Sequence, residues 1–245
     1  MKKLLSIVLC VVLFAACKKQ SEELQVVPIS EYAPLIVGKY ITYNLDSLVY
    51  VNFGTVETHR FYEVKYQVMD SITDNLGRKA FRIERYIRTL PAGNFVANNT
   101  AMAVNTGSRY EFIENNLKYF KLTLPIADGN SWKGNSAIDL VVNPATGEDL
   151  SYLADWDYTY ADVGAAKKVG IFNLANTLTV NQKNDSINLP ITPATNIAYK
   201  DFSQEIYGKG IGMVYRNFLH FEYQKTAASF VYKGYGVKLT MVDHN

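Results

Sequence analysis

The sequence predicts an all-β fold, an antiparallel curved sheet or barrel-like domain of about ten strands with little helix beyond its first residues. Three observations predict it. Apolar and polar residues alternate with a period of two, as where Tyr62, Val64, Tyr66 and Val68 interleave with Glu63, Lys65 and Gln67, so a strand gains one apolar and one wet face. Turn-forming residues recur about every ten positions. No helical period is sustained past the opening hydrophobic run.

That opening run is an element of a different kind. Lys2 and Lys3 precede Leu4 to Ala16, a stretch in which only Ser6 and Cys10 interrupt strong hydrophobes, and the small pair Ala15-Ala16 stands directly before Cys17. Crossing about 30 Å of hydrocarbon takes about 20 apolar residues. This run is shorter, so residues 1–16 read as an export signal that is removed. Phe14-Ala15-Ala16-Cys17 resembles the lipobox of bacterial lipoproteins at three positions and departs from it at Phe14, where Leu, Val or Ile is usual. The resemblance implies that the Cys17 thiol carries a diacylglyceryl thioether and that cleavage frees its amino group for a further acyl chain, such as palmitate. Each buried methylene contributes about 0.8 kcal/mol, so two or three chains anchor stably in a membrane.

Residues 17–30 then form the lipidated cysteine and a polar, acidic tether, able to span about 40 Å when extended. Glu22-Glu23 resembles the acidic export tag of surface lipoproteins, and reads equally well as part of a soluble linker. Residues 31–245 make a single β domain. Its strand candidates are Gly38 to Val51, Tyr62 to Val68, Phe81 to Arg88, Phe95 to Val104, Arg109 to Ile113 and Lys118 to Leu124, followed by Ile138 to Val142, Asp155 to Tyr160, Leu174 to Val180, Met213 to Tyr223 and Ser229 to Val242. Asp74-Asn75-Leu76-Gly77 and Pro91-Ala92-Gly93-Asn94 turn the chain, and Asn115-Asn116 suits a tight hairpin. A short helix is a candidate at Val163 to Val169, although Gly164 and Gly170 oppose a long one.

Cysteine and charge exclude several function classes. Cys10 leaves with the signal and Cys17 carries lipid, so the mature chain has no disulfide and no cysteine-based metal site or nucleophile. The 25 basic residues lose Lys2 and Lys3, leaving 23 against 23 acidic residues. A neutral chain without basic runs is no nucleic-acid binder. No Gly-x-Ser-x-Gly elbow, His-Glu-x-x-His helix or Walker loop occurs, and no cofactor is implied.

Tyr32-Ala33-Pro34-Leu35-Ile36-Val37-Gly38-Lys39-Tyr40, the Asp74 to Arg78 turn with its following strand, Trp132-Lys133-Gly134-Asn135 and Gly210-Ile211-Gly212-Met213-Val214-Tyr215 resemble uncharacterised lipoproteins of Bacteroidota. The resemblance spans most of the mature chain and implies a lipobox signal ahead of a β-rich domain. It brings no catalytic or binding residue with it.

Four local patterns bear on chemistry. His220 and Glu222 share a strand face and could serve as metal ligands or acid and base, or simply as a wet surface pair. Gly208-Lys209-Gly210-Ile211-Gly212 precedes a strand rather than a helix, so it reads as a tight turn or bulge and not as a phosphate loop. In Asp155-Trp156-Asp157-Tyr158-Thr159-Tyr160, alternation sets Trp156, Tyr158 and Tyr160 on one face and Asp155 and Asp157 on the other. Such rings either stack on sugars or cover a core, and the paired carboxylates could bind calcium or cleave a glycoside. Burying the rings is favourable and burying unpaired carboxylates is not, so energy predicts aromatic-in and acid-out. Last, Asp46-Ser47-Leu48, Asp70-Ser71-Ile72 and Asp185-Ser186-Ile187 resemble the acceptor pattern for O-glycosylation of exported Bacteroidota proteins, at Ser47, Ser71 and Ser186.

The resulting expectation is an outer-membrane lipoprotein, facing either the periplasm or the surface, whose β domain is a non-enzymatic module for a glycan, a lipid or an envelope protein. The rival expectations are a polysaccharide hydrolase using Asp155 and Asp157, and a structural subunit of an outer-membrane assembly.

Overall fold

A computed structural model describes residues 27–90, 93–138, 142, 147 and 149–245. The signal, Cys17, most of the tether, the Pro91-Ala92 turn and the centre of the Ile138 to Val142 segment lie outside the described residues. Of that last segment, Val142 makes an isolated bridge with Asp149.

Twelve strands follow one another as β1 (Tyr40–Val51), β2 (Val56–Thr73), β3 (Lys79–Thr89), β4 (Val96–Asn105), β5 (Arg109–Glu114) and β6 (Leu117–Thr123), then β7 (Ser131–Lys133), β8 (Asp157–Val169), β9 (Phe172–Ile187), β10 (Ile197–Gly208), β11 (Gly212–Lys225) and β12 (Phe230–His244). All belong to one antiparallel sheet in the order β6-β5-β4-β3-β2-β1-β12-β11-β10-β9-β8-β7. First and last strands pair in the middle, and the two edges are β6 and β7. The meander curls until these edges meet, making a nearly closed barrel.

Side chains complete the closure where ladder bonds stop. The Phe120 N–H donates to the Gly134 carbonyl at 2.8 Å, and the Trp132 indole donates to the Phe120 carbonyl at 2.6 Å. The Tyr160 hydroxyl, from β8, accepts the Thr123 N–H at 2.8 Å and donates to the Thr123 carbonyl at 3.0 Å. It thus gives one β6 residue both partners that a neighbouring strand would supply.

Local chemistry accounts for the turns. Asn115 and Asn116 both adopt positive φ, 54° and 62°, as a two-residue hairpin requires to match strand twist. Gly234 in β12 has φ +115° and lies against the His220 carbonyl with no room for a Cβ. At the barrel end where β10 turns into β11, a 3-10 turn at Ile29–Glu31 acts as a plug, with Ile29 only 1% exposed. The Gly210 N–H bonds the Glu31 carbonyl at 2.6 Å and Lys209 pairs with Glu31 at 3.0 Å. The packed domain therefore reaches back to Val27, which the sequence reading placed in the tether.

Two other expectations need correction. The candidate helix at Val163 to Val169 is the second half of β8, bent by register shifts between Ala161 and Ala165 and by positive φ at Asp162 and Gly164. β10 was not expected at all. Its inward positions include Asp201, Ser203, Glu205 and Tyr207 while Phe202 and Ile206 sit between them, so its polar pattern is inverted relative to an ordinary core strand.

Candidate functional site: a charged chamber inside the barrel

A barrel of about eight strands is just filled by its own side chains; twelve enclose more room. Among the described residues, the interior includes a cavity of about 110 Å³ beside the plug and one of about 290 Å³ towards the other end. One water needs only about 10 to 15 Å³ of such space. Tyr66, Phe112, Glu114, Lys121 and Arg216 line both.

The wall between the cavities is ionic. Lys121 on β6 reaches across the lumen to Glu205 on β10, Nζ to Oε1 at 2.6 Å, with 8% and 0% of their side chains exposed. The Tyr207 hydroxyl donates to the other carboxylate oxygen, Oε2, at 2.8 Å. Arg216, the cross-strand neighbour of Glu205, brings Nε to 3.8 Å from Oε1. Burial works against ionisation of Glu205, yet Lys121 and Arg216 outweigh it and hold the carboxyl below its ordinary range. The same burial lowers Lys121, with Glu205 acting against that shift. A second carboxylate, Glu114 on β5, accepts from Asn99 at 3.3 Å and Tyr66 at 3.4 Å and lies 3.6 Å from Arg85.

Above this layer the larger cavity has mixed walls, in which Leu45, Leu117, Val237 and Leu239 alternate with polar groups such as Ser47 and Asn115. In the connection from β7 to β8, Leu150 and Leu153 are buried against the core and line the larger cavity. Its Tyr152 stacks on His220 at 3.8 Å between ring centroids, 11° from parallel. His220 Nδ1 lies 2.7 Å from Asp201 Oδ1, and the Trp156 indole holds the connection by donating to the Tyr152 carbonyl at 2.7 Å.

The residues singled out in the sequence are distributed as follows. Trp156, Tyr158 and Tyr160 are interior wall, 2%, 1% and 1% exposed, and offer no ring face to solvent. Asp155 and Asp157 are exposed, and Asp157 pairs with Lys133 of β7 at 3.1 Å. His220 does not act with Glu222, which is exposed; its partner is Asp201 on the unforeseen strand. Ser71 and Ser186 are exposed on strands, whereas Ser47 lines the larger cavity. Among the described residues no three of His, Cys, Asp and Glu converge as metal ligands.

Lys121 escaped the sequence reading because β6 is far along the chain from β10, and Glu205 and Arg216 escaped it because β10 was not recognised as a strand. One signal was present: Asp201-x-Ser203-x-Glu205-x-Tyr207 alternates polar groups on one face of a strand-length segment, which marks a wet interior or a wet exterior without distinguishing them. Comparison with protein-family models, curated proteins and solved structures finds no match for the chain.

Proposed function

We propose that this chain is an outer-membrane lipoprotein, anchored through acylated Cys17, whose barrel is a non-enzymatic binding module that houses a small molecule in its interior. The observation carrying this reading is the interior space on either side of the ionic layer, about 110 Å³ with mostly apolar walls beside the plug and about 290 Å³ with mixed aliphatic and polar walls beyond it. Protein interiors are packed to crystal density, so a void of this kind forfeits contacts unless something occupies it. Apolar walls with a few converging polar groups are the usual make-up of a ligand pocket. The aromatic row at Trp156, Tyr158 and Tyr160 is buried in the core and lines neither cavity.

Gentle purification of the acylated protein from its native membrane, followed by mass spectrometry of an organic extract, tests the reading. A molecule recovered in near-stoichiometric amount, and absent from a Val237→Phe variant with the chamber filled, is the expected result. A wild-type protein that carries nothing, and takes up nothing from a panel of small amphiphiles, contradicts it.

A further inference from the structure

Among the described residues, Arg216 is an interior cation whose nearest carboxylate is already engaged by others. A guanidinium has five N–H donors. Both oxygens of Glu205 are engaged, Oε1 by Lys121 at 2.6 Å and Oε2 by Tyr207 at 2.8 Å, so Arg216 is left with a 3.8 Å approach to Oε1. Its Nε is fully covered and has no hydrogen-bond partner among the described residues. The side chain nevertheless keeps 24% of its surface accessible, and that surface opens on the two cavities it lines.

Charge within the chamber is unbalanced in the same sense. Among the described residues, Lys121, Arg216 and Arg85 face two carboxylates, Glu205 and Glu114. Excess buried positive charge is costly, and one anionic group placed on the accessible part of the Arg216 guanidinium would offset it. Beside it lies a space bordered on one side by Leu117, Val237 and Leu239, which a bare inorganic anion would leave without contacts.

We propose that the chamber binds a single-chain amphiphile with a carboxylate head, the head on the Arg216 guanidinium and the aliphatic tail in the larger cavity. This rests on the reading of the barrel interior as a binding chamber. The carboxylate suits the guanidinium fork, which offers two parallel N–H donors. Lys121 cannot take the same role, since its ammonium is held by Glu205.

The test uses the mature chain from residue 17, made without its signal and therefore unacylated and free of detergent. Calorimetric titration compares decanoate, decanol, decyltrimethylammonium and acetate. Decanoate should bind about tenfold to a hundredfold more tightly than decanol, as one charge-assisted contact provides, with no measurable binding of the cation or of acetate. Arg216→Gln should reduce decanoate to the level of decanol and leave decanol unchanged, while Arg216→Lys retains part of the preference. The four-ligand comparison on the wild-type protein decides the matter even where a variant does not fold. Equal binding of decanoate and decanol overturns the assignment to Arg216 while leaving the chamber as a binding site. Acetate binding as tightly as decanoate removes the tail, and no binding by any of the four overturns both the assignment and the chamber.

Discussion

Glu205 has no accessible surface and stays ionised because two cations share its chamber, and each consequence of that arrangement can be measured. Removing one member of a buried ion pair leaves the other uncompensated, so Glu205→Ala should cost about 3 to 5 kcal/mol in a denaturant titration. Lys121→Met should cost less, since Arg216 remains beside the carboxylate. The fold holds the Glu205 carboxyl below its ordinary value of 4.5. Its contribution is therefore fully present above about that pH and is lost as pH falls through the lower folded value. Thermal midpoints measured downward from neutrality should drop below about pH 4.5 in the wild type, and less steeply in a Glu205→Gln variant; parallel curves would contradict this. Trp156, buried beside Phe218, should cost about 3 to 5 kcal/mol when cut to Ala, as large-to-small core changes do. Wild-type stability of that variant would show that the ring is not part of the core.

At the scale of single elements, β8 closes the barrel and β10 furnishes its floor. Tyr160→Phe deletes both hydrogen bonds to Thr123 while keeping the ring. The expected cost is about 1 to 3 kcal/mol, together with faster hydrogen exchange at the Thr123 amide; unchanged exchange would mean that other bonds hold the seam. Legibility differed between these strands for a physical reason. The inward face of β8 carries Trp156, Tyr158 and Tyr160 around its start, so alternation alone indicates which face is buried. β10 turns Asp201, Ser203 and Glu205 inward, and a period-two reading that equates apolar with buried passes over it. The Asn115-Asn116 hairpin was legible from two residues because its positive φ values have few other solutions. The bend of β8 at Asp162 and Gly164 was read as a possible helix, since bulges and short helices draw on the same small and glycine residues.

For the whole molecule, the all-β class follows from the alternation, whereas near-closure depends on β6 meeting β7, a contact between segments that no local pattern reports. The interior is rich in tyrosine, and burial raises Tyr43, Tyr158 and Tyr207 well above their ordinary 10 and Tyr66 to about 12. A raised folded value means that stability is intact below about pH 10 and is lost as pH climbs through the folded values. Tyrosinate absorbance and circular dichroism should then change together in one steep alkaline transition. Buried tyrosines titrating near pH 10 with the sheet intact would show an interior open to solvent. The central claim is that Arg216 receives an anionic head inside the barrel, and the Nε–H resonance of Arg216, assigned by its loss in Arg216→Gln, reports on it most directly. Adding decanoate should shift this signal, while decanol leaves it in place; decanoate that binds without moving it would contradict the account.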